Sequence, residues 1–133
     1  MKISKKKIGI LGGSFDPAHK GHLAISKEAK KKFNLKMVIW AITNQNPFKK
    51  KPSNELKKRI SYCEKIIKND KFIKVKYFED IIKSNKTSDL IDHFYKTRKY
   101  EIFFLIGADN LVKFHKWHKW RNILKKSKLM VFD

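Results

Sequence analysis

The feature that most constrains the fold is an apolar run that leads directly into two glycines and then into a helical pattern. Residues 8–11 are apolar without polar alternation, which is typical of a strand buried on both faces of a parallel sheet. Gly12 and Gly13 follow, and glycine allows a tight turn and a close approach of the backbone to a ligand. Apolar residues then recur at helical spacing from Leu23 onward. The sequence therefore predicts a strand–turn–helix unit whose helix N-terminus can receive an anion such as phosphate.

Strands and helices alternate along the remaining sequence. Apolar runs predict four further strands, at residues 36–42, 72–78, 101–106 and 129–132. Helical patterns lie between them, one with Ser53 as its N-cap, one starting at Thr87 or Ser88, and one starting at Leu111. This alternation predicts a single α/β domain over residues 1–133. We expect a Rossmann-like doubly wound parallel sheet of about five strands, with the first strand at its centre.

The charge and the cysteine content limit the classes of function. Only three of the 33 basic residues are arginine, and the lysines are spread over every segment, so the net charge of +21 predicts a solvated lysine surface that attracts anionic small molecules. Arginine is preferred for bidentate phosphate and base contacts, and its scarcity argues against a specific nucleic-acid partner. No apolar run approaches the ~20 residues of a membrane span. Cys63 is the only cysteine, which predicts a buried core thiol and a cytoplasmic location.

Two histidines lie where the first predicted helix begins. His19 and His22 are three residues apart, so at a helix start they project to the same side. Either histidine alone is a weak signal, because an imidazole at a helix start often only caps or packs. After a glycine loop, the pair predicts a phosphate site flanked by two imidazoles. Polar segments also follow the second and fourth strands, at residues 43–49 and 107–118, and parallel strands bring their carboxyl ends to one edge of the sheet.

These residues resemble the nicotinate-nucleotide adenylyltransferase family of the HxGH nucleotidyltransferase superfamily. The signature His-Lys-Gly-His occupies residues 19–22, within Gly-Gly-Ser-Phe-Asp-Pro-Ala-His-Lys-Gly-His at 12–22. Further similar segments are Asn-Pro-Phe-Lys at 46–49, Thr-Ser-Asp-Leu-Ile at 87–91, Gly-Ala-Asp-Asn-Leu at 107–111 and Phe-His-Lys-Trp at 114–117. The similarity runs along essentially the whole sequence, in order.

The resemblance implies that the adenylyl group of ATP passes to nicotinate mononucleotide, giving deamido-NAD and pyrophosphate. The mononucleotide phosphate is already an anionic nucleophile, so the site has to align two anions and stabilise charge, without a general base. The implied catalytic residues are His19 and His22. The implied contacts to ATP and its phosphates come from Gly12, Gly13, Ser14, Phe15, Asp16, His19, His22, Lys49, Gly107 and Asp109. Mg²⁺ is expected to accompany ATP and to keep most of its waters, and no metal site made by the protein itself is implied.

The resemblance also implies a site for the mononucleotide. The residues implied to meet it are Asn44, Thr87, Trp117 and His118, with Trp117 stacking on the pyridine ring. His118 stands where the family often has tyrosine, and Leu90 stands where it usually has threonine. Backbone groups near Thr87 and His118 are implied to receive the nicotinate carboxylate.

Ordinary structural roles stay open for several of these residues. The alternatives are an Asp-Pro turn for Asp16, a solvated side chain for Lys49, a cap of the helix at Leu111 for Asp109, and core packing for Trp117. His93 and His115 are interpreted as packing or surface residues.

The family normally continues past the fifth strand with an Ile-Ser-x-Thr-x-x-Arg motif that grips the ATP phosphates. The sequence ends at Asp133 without it, so we expect a C-terminally shortened domain that lacks the family's last strand and helices. We further expect weak ATP binding, low or no turnover, and an exposed sheet edge that favours homo-oligomers.

Two alternatives stay open beside this function. One is a sister enzyme, either a pantetheine-phosphate adenylyltransferase or a cytidylyltransferase. The first histidine of the signature argues against the pantetheine type, which usually has threonine there. The other is a non-catalytic fragment that binds RNA through its charge, with an affinity that falls as salt is added.

Overall fold

Five parallel strands form one sheet in the computed structural model, which describes residues 4–44 and 55–133. The strands are β1 (Lys6–Gly13), β2 (Met37–Ile42), β3 (Ile73–Lys76), β4 (Tyr100–Gly107) and β5 (Lys128–Phe132). Their order is β3-β2-β1-β4-β5, and each neighbouring pair is parallel. The predicted doubly wound α/β sheet with its first strand at the centre is therefore confirmed.

Helices connect the strands and cover both faces of the sheet. In the described ranges they are α1 (Lys20–Phe33), α2 (Leu56–Ile66), α3 (Glu79–Ile82), α4 (Thr87–Tyr95), α5 (Ala108–Leu111) and α6 (Trp120–Lys126), with a 3₁₀ turn at Phe114–Lys116. The helices α1 and α2 pack on one face, and α4 and α6 pack on the other. Crossovers between parallel strands are right-handed, so this change of face places the reversal of strand order between β1 and β4. None of the helices in the described ranges combines the length and the apolar character needed to cross a bilayer.

The two hydrophobic cores follow the alternation of each strand. Along β1, Ile8 and Ile10 pack in the core under α4 and α6, whereas Leu11 packs in the core under α1 and α2. The reason is that successive side chains of a strand point to opposite faces. Cys63 on α2 is fully buried, and burial raises the pKa of its thiol to about 11. It is the buried core thiol that the sequence predicts.

The glycine pair lies inside β1 and does not form the turn after it. The prediction placed the strand at residues 8–11, whereas the observed ladder extends through Gly12 and Gly13. No glycine in the described part of the chain has a positive φ, and the left-handed residue of this loop is Phe15, with a φ of 50°. Phe15 is 2% exposed, so burial of its ring offsets the unfavourable backbone conformation of a residue with a Cβ. The expectation that the glycines supply the turn is wrong.

One boundary agrees with the prediction and another differs. The helix α1 begins at Lys20, directly after its N-cap residue His19, so the two histidines lie at the helix start as expected. The strand β3 ends at Lys76, and Phe78 is already the N-cap residue of α3. Apolar periodicity cannot detect a helix of four residues, so α3 is absent from the prediction.

Two predicted helix caps also differ. The helix α5 begins at Ala108, so Asp109 lies in its first turn and cannot cap a helix that starts at Leu111. Ser53, the predicted cap of the second helix, lies outside the described residues. Glu55 occupies the N-cap position of α2, without a side-chain capping bond.

Candidate functional site

The N-terminus of α1 is capped by the two histidines of the signature. His19 is the N-cap residue, and its Nδ1 accepts a hydrogen bond of 3.0 Å from the Gly21 N–H. In return, Nδ1 of His22 accepts a hydrogen bond of 3.0 Å from the His19 N–H. Two imidazoles thus form the reciprocal capping box that a hydroxyl and a carboxylate commonly form. The centroids of the two rings lie 3.9 Å apart.

The cap decides which ring nitrogen carries the proton. A neutral imidazole has one N–H donor and one acceptor nitrogen. Because Nδ1 accepts in both His19 and His22, the proton of each neutral ring is on Nε2. Capping and phosphate binding, which the sequence presents as alternatives, are therefore compatible: Nδ1 serves the helix, and the Nε2–H group is a donor suited to phosphate oxygens. An imidazolium would place an N–H against each donating amide and lose the cap.

Gly21 leaves the space that this cap requires. A Cβ at position 21 would lie 2.8 Å from Cε1 of His19 and 2.9 Å from its Nδ1, which is closer than van der Waals contact allows. Glycine therefore lets the first imidazole fold over the amide whose hydrogen bond it accepts. The signature His-Lys-Gly-His has a local structural reason as well as a chemical one.

A stack of buried aromatic rings supports the second histidine. The Phe15 ring lies 4.5 Å from the His22 ring and stacks on the indole of Trp40 at 4.9 Å. Trp40 is fully buried, and its Nε1–H donates to Oγ of Ser26 at 2.8 Å. The Ser26 hydroxyl donates in turn to the carbonyl of His22 at 2.8 Å. The His22 imidazole therefore rests on the packed core, which restricts its freedom to move.

A cavity of about 390 Å³ opens at the carboxyl ends of β1, β2 and β4. Its size is within the range of small-molecule sites, roughly 300–1,000 Å³. It lies where the strand order reverses, which is where open α/β sheets bind ligands. The predicted site residues that line it are Gly12, Gly13, Thr87, Gly107, Trp117 and His118. The fold thus brings together positions that are far apart in the sequence.

Other predicted residues lie beside the cavity or outside the description. Those in the described ranges that do not line it are Ser14, Phe15, Asp16, His19, His22, Asn44 and Asp109. The first five belong to the adjoining segment from the end of β1 to the start of α1. Asp109 is exposed, and its Oδ1 lies so near Gly107 that a Cβ there would meet it at 2.7 Å. Lys49 lies outside the described residues, so its predicted contact stays a prediction.

Sequence reasoning misses two charged residues that hold the end of β2. Arg59 on α2 is 3% exposed. Its guanidinium donates to the carbonyl oxygens of Ser14, Thr43 and Asn44 at 2.9, 2.7 and 3.0 Å. Glu79 of α3 lines the cavity and accepts from the Thr43 hydroxyl at 2.5 Å and from the Asn44 N–H at 3.2 Å. Glu79 could have been found, because it follows a predicted strand at the ligand-binding edge. Arg59 carries no sequence signal, because it looks like any cation on an amphipathic helix.

Both signs of charge meet around the cavity. Glu79, Lys86 and Lys116 are among its lining residues. Burial raises the pKa of Tyr77, and the nearby charges of Glu79 and Asp80 raise it further. The phenol therefore stays protonated at neutral pH and can donate to the Glu79 carboxylate. A cavity with cations at its wall suits an anionic ligand, provided that the Glu79 carboxylate is hydrogen-bonded to other groups of the protein.

The two remaining histidines of the described chain have the roles that the sequence suggests. His93 packs against the rings of Phe78 and Phe94, at 5.8 and 5.4 Å between centroids. Burial lowers its pKa, and the charges of two nearby lysines lower it further. His115 is exposed in the 3₁₀ turn. Both interpretations are confirmed.

Known proteins share this sequence over most of its length. A family model described as cytidylyltransferase-like matches residues 10–133. A relative from Pelagibacter ubique (strain HTCC1062), named as a nicotinate-nucleotide adenylyltransferase, is 60% identical over 129 residues, and the match covers 97% of this chain and 72% of that relative. A relative of the same name from Ruegeria sp. (strain TM1040) is 35% identical over 119 residues, and the match covers 89% of this chain and 62% of that relative. The chain therefore spans only part of the length of these curated relatives.

Solved structures share the fold. A nicotinate-nucleotide adenylyltransferase structure from Vibrio parahaemolyticus superposes with a TM-score of 0.77 at 22% identity, covering 96% of this chain and 77% of that one. A Plasmodium falciparum nicotinic acid mononucleotide adenylyltransferase complexed with NaAD superposes with a TM-score of 0.73 at 21% identity, covering 96% and 74%. At 22% and 21% identity, these two structures show the fold alone. The family is shown by the family model that matches residues 10–133 and by the 60% identity to the Pelagibacter relative. The chain belongs to the nicotinate-nucleotide adenylyltransferase family of the cytidylyltransferase-like nucleotidyltransferases.

Proposed function

We propose that the protein transfers the adenylyl group of ATP to nicotinate mononucleotide, producing deamido-NAD and pyrophosphate. The observation that carries this proposal is the way β1 joins the two parts of the site. Its terminal glycines line the cavity, and the loop after them leads into the imidazole-capped start of α1. The cavity offers a wall for the mononucleotide, while the helix start suits the phosphates of ATP. Two nucleotides can thus meet across the end of one strand.

The reaction needs alignment more than proton transfer. An oxygen of the mononucleotide phosphate attacks the α-phosphorus of ATP, and a new P–O–P linkage forms. The bond from that phosphorus to the oxygen bridging to the β-phosphate breaks, and pyrophosphate leaves with the electron pair. The Nε2–H groups of His19 and His22 fit as donors to the oxygens that carry this charge. Because the cap holds both rings, little reorganisation accompanies the step.

The ATP end of the site is assigned to the loop after β1 and to the end of β4. The residues are Gly12, Gly13, Ser14, Phe15, Asp16, Lys49, Gly107 and Asp109. An exposed carboxylate at position 109, beside a strand end, suits a ribose hydroxyl as its hydrogen-bond donor. Phe15 contributes through its backbone, because its ring is buried in the core.

The nicotinate end is assigned to Thr87, Trp117 and His118, which line the cavity, and to Asn44 beside it. The Trp117 ring packs at 5.9 Å from the Phe104 ring and at 5.2 Å from the Phe114 ring while it lines the cavity, so the core holds it for stacking on a pyridine. Thr87 opens α4, and a helix start favours the nicotinate carboxylate. The Plasmodium enzyme, solved with NaAD and with APC, supports two small-molecule substrates for this site.

Mg²⁺ enters this proposal with ATP, as part of the substrate. Residues 4–44 and 55–133 contain no group of three His, Cys, Asp or Glu residues placed to hold a metal ion. Phosphate oxygens and water therefore fit as its ligands, since Mg²⁺ commonly keeps several waters. The ion would neutralise part of the triphosphate charge, while the imidazole and backbone donors of this chain orient the phosphates.

We further infer that residues 1–133 act as one domain in the cytoplasm and that the chain self-associates. The single sheet spans the described sequence from β1 to β5, which supports one domain. The strand β5 is an edge strand, and its Val131 side chain is 43% exposed. An exposed apolar edge favours pairing between copies. Sedimentation velocity at several concentrations tests this assembly.

An adenylyl-transfer assay tests the function. The chain is incubated with ATP, Mg²⁺ and either nicotinate or nicotinamide mononucleotide, and the dinucleotide is separated by chromatography. We expect product with nicotinate mononucleotide, formed at a low rate. The His19→Ala variant should lower kcat by about 10²–10³-fold, the typical effect of removing one donor to a developing charge.

The exposed His115 provides the matched control. His115→Ala changes the same residue type outside the cavity lining and should keep the parent kcat. Equal rates for the His19→Ala variant and the parent chain would remove the imidazole pair from the mechanism. Absence of product with either mononucleotide would contradict the function itself.

A further inference from the structure

The guanidinium of Arg59 lies across the gap between two strand ends. Near the end of the β1–β2 ladder, the Thr43 N–H donates to the Gly13 carbonyl at 2.8 Å. Nη1 of Arg59 then donates to the carbonyl of Ser14 at 2.9 Å and to the carbonyl of Thr43 at 2.7 Å. One side-chain nitrogen thus bridges the two backbones where they leave the sheet. The connected segments are the loop assigned to ATP and the wall assigned to the mononucleotide.

Glu79 holds the same peptide group from its other end. The carbonyl of the Thr43–Asn44 peptide accepts from Arg59, and the N–H of that peptide donates to Oε1 of Glu79 at 3.2 Å. Two further bonds reinforce this arrangement: the Thr43 hydroxyl donates to Oε2 of Glu79 at 2.5 Å, and Nη2 of Arg59 donates to the Asn44 carbonyl at 3.0 Å. The charges come from opposite faces, since α2 packs in one core and Phe78, which precedes Glu79, packs in the other.

We propose that Arg59 and Glu79 are positioning residues for adenylyl transfer. They clamp the Thr43–Asn44 peptide from the two faces of the sheet and so set the distance between the loop after β1 and the wall after β2. This inference rests on the proposed function, because only a reaction between two bound substrates needs that distance. Charge-assisted hydrogen bonds suit the role, since they are stronger than neutral ones. The planar fork of arginine reaches several carbonyls at once, which lysine cannot reproduce.

The clamp also explains why the Glu79 carboxylate lines a cavity that is otherwise suited to anions. An unoccupied Glu79 would repel a phosphate or a nicotinate carboxylate. Its two oxygens are instead engaged by the backbone and hydroxyl of residues 43–44. The two roles differ in their consequences. If Glu79 is only a nearby charge, neutralising it strengthens substrate binding. If it is half of the clamp, neutralising it slows the reaction.

The test compares Arg59→Lys, Glu79→Gln and the double variant with the parent chain. Each single variant should lower kcat by roughly 30- to 100-fold, the scale expected from a misplacement of about 1 Å, with KM values for both substrates changed less than about threefold. The double variant should be no slower than the worse single variant, because both residues act on one peptide. Lys57→Met, an exposed change on the same helix, should keep the parent kcat.

Amide hydrogen exchange gives a readout that does not need activity. Exchange of the Asn44 amide should quicken in both single variants, while amides in the middle of β1 and β2 stay protected. A parent kcat in Arg59→Lys, or a lower KM with unchanged kcat in Glu79→Gln, would overturn the proposal. If the parent chain transfers no adenylyl group, the proposed function fails. Unchanged Asn44 exchange in both variants would then show separately that the clamp does not exist. Thermal unfolding of each variant identifies any that does not fold. If one single variant does not fold, the kcat and the Asn44 exchange of the other single variant test the proposal.

Discussion

Replacing Gly21 with alanine should separate the stability of this protein from its activity. A Cβ at this position would lie 2.8 Å from Cε1 of His19 and 2.9 Å from its Nδ1. The ring of His19 belongs to an exposed side chain, so it can turn away without disturbing the core. That movement breaks the hydrogen bond in which Nδ1 of His19 accepts from the amide of residue 21. The alanine therefore removes the cap and displaces the first imidazole of the site.

The opposing terms nearly cancel in the free energy of unfolding. Alanine in place of glycine stabilises a helix by about 0.5–1 kcal/mol. Loss of an N-cap bond costs about 0.5–2 kcal/mol. The net change in stability is then within about 1.5 kcal/mol. Loss of one aligned donor to a transferring phosphate costs about 10²–10³-fold in kcat, so activity should fall much further than stability.

Circular dichroism melts and the adenylyl-transfer assay measure the two quantities side by side. Ala24→Gly is the matched control, because it makes the reverse change at an exposed position of the same helix. It should lower stability by about 1 kcal/mol and leave kcat unaltered. Nitrogen-15 spectra of the histidines should show Nε2–H tautomers for His19 and His22 in the parent chain. A Gly21→Ala variant with the parent kcat would refute the argument that the cap positions the imidazole.

Two further outcomes follow from the packing and the charges. Trp117→Ala should raise the KM for nicotinate mononucleotide roughly tenfold, the effect of losing one stacked ring, while Trp120→Ala, outside the cavity lining, should leave that KM near the parent value. Partial burial raises the pKa of Asp92, but hydrogen bonds from Lys126 and from the side-chain amide of Asn122 hold that pKa below its ordinary value. This contribution to stability is present above the unfolded pKa of about 3.9 and is lost as the pH falls through the folded pKa. Asp92→Asn should therefore lower Tm at pH 7 but approach the parent Tm in acid, as thermal melts over a range of pH would measure.

Much of the fold could be predicted because its signals are local. The apolar runs at residues 8–11 and 101–106 show no polar alternation, and that alone indicates a sheet covered on both faces. Alternating helices then require parallel strands and a central first strand. The boundaries were less predictable. The strand β1 continues through its glycines, because hydrogen bonding to a neighbouring strand, and not residue preference, decides where a strand ends.

The candidate site divides in the same way. The spacing of His19 and His22 and the position of Trp117 are visible in the sequence. The tautomer of each imidazole is not, because it depends on which amides the helix start presents. The left-handed conformation of Phe15 is equally hidden, since only the burial of its ring in the assembled core offsets its backbone strain.

The sequence by itself determined the class of fold, the family and the segments that meet at the carboxyl edge of the sheet. Each of these depends on residues that are close in sequence, through apolar periodicity, turn residues and motif spacing. Only the tertiary structure decided that Arg59 and Glu79, from different helices and opposite faces, hold a single peptide group. A charged side chain on a helix surface has no local preference for such a partner. Its role appears only when the folded backbone presents carbonyl and N–H groups within hydrogen-bond distance of that side chain.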